Sequence, residues 1–168
     1  MKIREVRQSD LATLSELAIQ TYTDAFGHSF SAADLAAHLE RHLSPDGFAR
    51  ILDADVVLLA EAEDRLIGYL QFGAMRPLSD YGPDQELRRL YVLAEFQNQG
   101  VGAALMEAAL SHPQMQSATN IYLDVWEHNH GAQRFYQRYG FEVIGFRAFE
   151  VESGAETSLD LLMVRRTS

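Results

Sequence analysis

Apolar positions along the chain follow two rhythms, and the switches between them mark out the elements. Residues 2–7 alternate and predict a strand. Leu11, Leu14, Ala18, Tyr22 and Ala25 then fall on one helical stripe, with Ser9-Asp10 placed to cap it. Ser31, with Asp34 three residues on, resembles a capping box in which Asp replaces the usual Glu or Gln. It predicts a second helix bearing Leu35, Leu39 and Leu43, and Pro45-Asp46 predicts a short third helix to about residue 53. Val56–Ala62 and Leu66–Arg76 read as a hairpin around Glu63-Asp64-Arg65, the second strand apolar on both faces and therefore central. Pro77–Gln85 reads as a loop and Leu87–Val92 as a strand. A helix over Gly100–Ser111, a strand over Ile121–Val125 and a helix over Asn129–Tyr139 follow, the last with Ala132, Phe135, Tyr136 and Tyr139 on one stripe. Residues 141–151 and 158–165 read as a final hairpin around Ser153-Gly154.

This order predicts a mixed α/β sheet covered by helices. The helices from Gly100 and Asn129 each follow a strand, so their N-termini belong at strand C-terminal ends, where open α/β sheets bind ligands.

Composition narrows the class. The 168 residues, 47% hydrophobic and 23% charged, contain no repeat and no long linker, which predicts one domain over 1–168. No apolar run is long enough for a membrane span, the first residues read as a strand, and cysteine is absent, so a cytoplasmic protein without disulfides or thiolate metal sites is expected. The net charge of −10 argues against nucleic acid or anionic membranes as partners. It also requires that any anionic cofactor be held by a local positive field.

One stretch offers such a field: Glu86-Leu87-Arg88-Arg89-Leu90-Tyr91-Val92-Leu93-Ala94-Glu95-Phe96-Gln97-Asn98-Gln99-Gly100-Val101-Gly102-Ala103-Ala104-Leu105. It is a strand, a turn with two glycines and a helix start. Glycines let successive N–H groups point into one concavity, and the helix N-terminus adds unpaired donors and partial positive charge. Pyrophosphate suits such a place. The Walker pattern fails because Ala103-Ala104 follows the last glycine, and the dinucleotide fingerprint fails at Leu105.

The stretch resembles motif A of the GNAT superfamily of N-acetyltransferases, Gln/Arg-x-x-Gly-x-Gly/Ala, here Gln97-x-x-Gly100-x-Gly102. Gln99 stands where the family usually has Arg or Lys. The segment Leu123–Phe141, with Asn129, Ala132, Phe135-Tyr136 and Gly140-Phe141, resembles motif B. The resemblance implies the GNAT fold, a mixed, mostly antiparallel sheet of about six to seven strands with helices on both faces. It implies acetyl-CoA as cofactor, with the pantetheine arm pairing along Leu90, Tyr91 and Val92. Gln97, Asn98, Gln99, Gly100, Val101, Gly102 and Ala103 would hold the pyrophosphate, with Asn129 and Tyr136 also contacting the cofactor. It implies direct attack of a primary amine on the thioester.

Roles for single residues follow from that resemblance together with the chemistry, Glu86 standing at the start of the central strand where related enzymes often place a Glu. An amine with pKa about 10.4 is mostly protonated at pH 7, so a proton acceptor and a donor for the leaving thiolate are needed. Glu86 is the candidate base, through water; the other reading is a surface carboxylate paired with Arg88. Tyr136 is the candidate acid, matching the family's tyrosine, and it also lies on an apolar stripe. Asn129 fits a helix cap as well as a cofactor contact. The Val92 N–H is a candidate polariser of the thioester carbonyl.

The family's acceptor region maps here to Thr21–Phe30 and Pro77–Gln85, with Tyr22, Phe26 and Tyr81 as candidate substrate contacts beside Asp24, His28, Asp80 and Asp84. Aromatics with acids suit a cationic amine; a polyamine, a small amine, an amino acid and a peptide amine all stay open. His38 and His42 are four apart, but Leu39 follows the first, so the zincin pattern fails and no metal is expected. A non-catalytic acyl-CoA sensor on the same fold and a nucleotide-binding module are the other readings, and the family makes a homodimer the expected assembly.

Overall fold

A computed structural model describes residues 1–75, 84–149 and 158–167. Its strands are β1 (Lys2–Glu5), β2 (Asp55–Ala62), β3 (Arg65–Ala74), β4 (Gln85–Val92), β5 (Asn120–Trp126), β6 (Glu142–Phe149) and β7 (Ser158–Arg166). Its α-helices are α1 (Leu11–Phe26), α2 (Ala32–Leu43), α3 (Pro45–Ile51), α4 (Val101–Leu110), α5 (Pro113–Gln116) and α6 (His130–Arg138). The strands form one mixed sheet in the order β1-β2-β3-β4-β5-β7-β6. This matches the expected count and the mostly antiparallel character. The chain divides into two compact units, one of Met1–Gly73 with Arg89–His112, the other of Ala74–Arg88 with Pro113–Ser168, so β4 contributes to both.

In the first unit, β1 and β3 flank β2, both antiparallel. The β2–β3 turn is Glu63-Asp64 alone, at φ of 51° and 59°. Two left-handed residues match the twist of a tight hairpin, so Arg65 joins the strand instead of the turn. Eight successive residues of β3, Leu66–Gly73, are buried, as a strand covered on both faces requires. One face packs under α1 and α3: Leu14, Leu17, Ala18, Leu43, Phe48 and Tyr69 share a core cluster. The other carries α4, whose Leu105 lies over Gly68.

Local chemistry explains the helix starts. Ser31 Oγ accepts from the Asp34 N–H at 3.1 Å, as the capping pattern predicts, and Ser44 does the same for Gly47 at 3.1 Å. The expectation that Ser9-Asp10 caps α1 is corrected. No side chain caps α1, and a short 3₁₀ turn over Gln8–Asp10 precedes it. The Asp10 carboxylate accepts instead from the Arg7 N–H at 2.7 Å and from Arg4 at 2.7 and 3.0 Å. Two charge-assisted bonds outweigh one cap bond. Ala25, placed on the buried stripe by periodicity, is exposed, because the buried face of α1 ends at Thr21.

In the second unit, β4 enters parallel to β5, with Gln85 opposite Ile121 and Glu86 opposite Tyr122; the β4–β5 register contains these two pairs. β5 and β6 both run antiparallel to β7. Buried Asp84 anchors the start of β4: its Oδ1 accepts from the N–H and Nδ2 of Asn120, both at 3.1 Å. α5 was not legible in the hydrophobic pattern because four residues give no periodicity. The Ser153-Gly154 turn and the loop residues Asp80 and Tyr81 lie outside the described residues.

Candidate functional site

The first unit holds the glycine turn. β4 ends at Val92, and the Leu93 N–H donates to Ile67 O at 3.0 Å, fixing the strand end on β3. A 3₁₀ turn over Ala94–Phe96 follows, then Asn98 at φ 59° and Gly100 at φ 84°. Gly100 is the N-cap of α4, and nothing lies within 4 Å of a Cβ built on it, so the left-handed backbone is what requires glycine here. Gln97 Nε2 donates to Val92 O at 3.1 Å, and Gln99 Nε2 donates to Glu95 O at 2.6 Å. Both glutamines thus brace the turn with their side chains. Gln99, standing in the place of the usual cation, works here as a backbone clamp.

The first helical bond of α4 runs from the Ala104 N–H to Gly100 O. The N–H groups of Val101, Gly102 and Ala103 precede it, no side chain caps them, and the first turn holds no acid. A left-handed glycine and an uncapped helix start leave several donors and a partial positive charge together. That donor set fits a pyrophosphate in a protein whose net charge is otherwise repulsive.

Family comparison fits the same segment. The sequence profile of the acetyltransferase (GNAT) family matches residues 12–141. The chain belongs to the GNAT acetyltransferase family. An uncharacterized N-acetyltransferase of Mycobacterium tuberculosis is 32% identical over 159 residues, covering 94% of this chain and 97% of its own. A spermine/spermidine N(1)-acetyltransferase of Bacillus subtilis is 29% identical over 96 residues, covering 54% of this chain and 61% of its own. Among solved structures, the PaiA N-acetyltransferase of Thermoplasma acidophilum in complex with coenzyme A superposes with a TM-score of 0.76, at 22% identity over 98% of both chains. The last likeness carries the fold. The protein is an acetyltransferase, and its acyl donor is acetyl-CoA.

The remaining candidates of this acetyltransferase fall into two groups. In the second unit, Glu86 is part-buried and ion-paired with Arg88, whose other nitrogen donates to Ala74 O at 2.7 Å. Both readings of Glu86 therefore stay physically compatible: it is partnered, and it sits at the start of β4. Asn129 Oδ1 accepts from the Ala132 N–H at 3.1 Å, so it caps α6. Tyr136 is 8% exposed. It belongs to a helix stop: the Phe141 N–H donates to Tyr136 O and the Gly140 N–H to Gln137 O, with Gly140 at φ 82°. This is a Schellman ending, completed by Tyr136 and Phe141 rings 5.9 Å apart. Of the predicted α6 stripe, Tyr136 is buried while Ala132, Phe135 and Tyr139 are half-buried.

In the first unit, Tyr22 and Phe26 come together with ring centroids 5.1 Å apart. The structure adds residues that sequence reasoning did not assign to the site. His38 stacks on Tyr22 at 4.6 Å and 15°, and His42 lies 4.8 Å from His38. Arg89 of β4 donates to Gln71 Oε1 at 2.9 Å, and Gln71 Nε2 donates to Asp55 Oδ2 at 2.7 Å. Burial lowers the pKa of both histidines, with Arg89 contributing in the same direction, and burial raises that of Tyr22 against the pull of Arg89. The signal was present in the sequence: His38 and His42 share a helix face, and Arg89 alternates in phase with Tyr91. Among the described residues no group of three or more His, Asp or Glu could hold a metal, and no helix is long and apolar enough to cross a membrane. Tyr81 lies outside the described residues.

Proposed function

We propose that this enzyme acetylates the nitrogen of a primary amine by direct attack on the thioester, acting as one domain. The observation that carries the reading is the left-handed Gly100 at the uncapped start of α4, immediately after β4. It is the arrangement that an anionic acyl carrier needs and that a plain strand–helix joint does not. Bound acetyl-CoA would supply an acetyl thioester for the amine to attack, with the coenzyme A thiolate as leaving group. The N–H groups of Gly100, Val101, Gly102 and Ala103, with Gln97, Asn98 and Gln99 shaping the turn, hold the pyrophosphate. The backbone of Leu90, Tyr91 and Val92 holds the pantetheine arm, and the Val92 N–H faces the thioester carbonyl. Asn129 adds a cofactor contact beside its capping role. Glu86 takes the proton released by the amine, through water, and the Tyr136 hydroxyl gives a proton to the leaving thiolate. Deprotonating a lysine-like amine at pH 7 takes roughly 4–5 kcal/mol, which is the reason a base is assigned at all. Tyr22 and Phe26 line the acceptor side, as does Tyr81 in this reading.

The test couples binding to turnover. Acetyl-CoA at about 100 times its dissociation constant adds roughly 2.7 kcal/mol. For a chain of this length that raises the midpoint by roughly 5–10 °C, while ATP and NAD leave it unchanged. Thiol release on adding a primary amine is the expected second result. A rise without thiol release for any amine would identify an acyl-CoA sensor and remove the catalytic assignments.

A further inference from the structure

Arg89 is a half-buried cation in an unusual position. Among the described residues its one hydrogen bond goes to the neutral Gln71, and it forms no ion pair there. Arg4, Arg88 and Arg147 are also part-buried, and each holds a carboxylate, Asp10 and Glu61, Glu86, and Asp124, whereas half-buried Arg165 forms no ion pair among the described residues. In a chain with net charge −10 acids are plentiful, yet the partner that Arg89 takes among the described residues is a neutral amide. Gln71 is itself oriented by Asp55, which fixes its carbonyl oxygen toward the guanidinium. The fork is thereby aimed, and among the described residues that is the one bond made by its five N–H donors.

Aromatic rings line this side of the unit, and the Asp55 carboxylate is held by Gln71. Arg89 lies in phase with Tyr91, whose ring stacks on Tyr69 in the core cluster that Tyr22 packs against, and its charge acts on Tyr22, His38 and His42. Burial and the nearby guanidinium keep both imidazoles neutral at pH 7. Asp24, the acid of the predicted acceptor region that belongs to this unit, is exposed. Among the described residues the cluster therefore combines a cation without an ion pair and flat aromatic walls, the reverse of what a polycation selects.

We infer that the acceptor is a primary amine that also carries a carboxylate, an amino acid whose carboxylate pairs with Arg89 while its side chain lies against Tyr22 and His38. Arg89 is a specificity residue in this scheme, and the reaction is the amine acetylation already proposed, on which the inference rests. A planar carboxylate matches the guanidinium fork in two parallel bonds, which a lone ammonium group cannot do.

The test compares acceptors that differ only in the carboxylate: phenylalanine against phenethylamine, leucine against isoamylamine and ornithine against putrescine, each scored by acetyl-CoA-dependent thiol release. The expected result is a kcat/KM higher by about tenfold or more for the amino acid in at least one pair. Arg89→Gln is expected to abolish that preference through KM, with the acetyl-CoA thermal shift unchanged, and Arg89→Lys to restore part of it. Equal or better turnover of the decarboxylated amines would overturn the inference, as would a preference that survives Arg89→Gln. Acetyl-CoA binding without turnover of any amino acid overturns it too. Loss of the acetyl-CoA shift in the wild-type protein is a different failure, because it removes the parent reading and not merely the acceptor class.

Discussion

Gly68→Ala probes how closely β3 must approach β4 for the cofactor end of the sheet to form. A Cβ added at Gly68 would stand 2.9 Å from Tyr91 O and 3.3 Å from both Leu105 Cδ1 and Val92 Cγ2. The Leu105 tip can rotate, but the Tyr91 oxygen is backbone and cannot move without β4. Overpacking of this kind costs about 1–3 kcal/mol. Replacing glycine inside a strand returns about 0.5–1 kcal/mol by restricting the unfolded chain. The expected net loss is centred near about 1 kcal/mol and reaches at most about 2.5 kcal/mol, or roughly 2–10 °C in Tm for a chain of this length. The displaced residues, Tyr91 and Val92, are those assigned to the pantetheine arm, so acetyl-CoA affinity is expected to fall with stability. Gly145→Ala in β6 is the matched control: no heavy atom lies within 4 Å of its Cβ and its backbone is not left-handed, so its Tm should stay level or rise slightly. Scanning fluorimetry and titration calorimetry on both variants decide the matter. A Gly68→Ala protein as stable as Gly145→Ala, with wild-type acetyl-CoA affinity, would refute the close-approach argument.

Other perturbations separate the roles of single side chains. Tyr136→Phe keeps the Schellman ending and the ring contact with Phe141, so Tm should change by less than about 1 kcal/mol equivalent while kcat falls by about tenfold or more; full activity sinks the acid role. Glu86→Gln should lower kcat more than it weakens acetyl-CoA binding, and a pH–rate profile that matches wild type from pH 6 to 9 would remove Glu86 from the mechanism. Asp10 carries a pKa lowered chiefly by its hydrogen bond to Arg4. A depressed carboxylate stabilises the fold fully above its ordinary pKa, and that contribution is lost as pH falls through and below the usual carboxylate range. Asp10→Asn should therefore cost about 1–2 kcal/mol at pH 7 and progressively less in acid, as measured by urea midpoints.

The hydrophobic rhythm was enough to place the seven strands and the longer helices because each buries one face, and burial is what the rhythm encodes. The caps at Ser31 and Asn129 were legible for a similar reason: each bonds an N–H three residues away, so sequence spacing equals spatial reach. The cap at Asp10 was not, because its competitor, Arg4, comes from a preceding strand and wins on charge. Arg89 escaped notice on the same grounds. Read along β4, it is one of two adjacent arginines; only folding shows that Arg88 meets Glu86 while Arg89 meets Gln71. His38 and His42 invited a metal question because i, i+4 spacing is shared by ligand pairs and by stacked rings, and Tyr22 is the partner that tells them apart.

The second motif illustrates how a functional signature can be written by helix-end physics. Asn129 caps α6 at one end, and Tyr136, Gly140 and Phe141 close it at the other. Gly140 must be left-handed, the N–H of Phe141 must reach back to Tyr136 O, and the two rings must touch. A sequence of the form Asn…Tyr…Gly-Phe would be required by that short helix even if the tyrosine hydroxyl did nothing. Matching the motif is therefore weak evidence for the acid and strong evidence for the helix. The hydroxyl takes no part in that ending, so Tyr136→Phe leaves the ending in place while removing the proton donor. Gly140→Ala does the reverse: a side chain at φ 82° is strained whatever the space around it, so α6 should loosen at its end and the Tyr136 ring should lose its fixed orientation. If the ring's placement matters to proton transfer, Gly140→Ala lowers both Tm and kcat while Tyr136→Phe lowers kcat alone. A Gly140→Ala variant with reduced Tm and undiminished kcat would show that the helix ending and the catalytic step are independent.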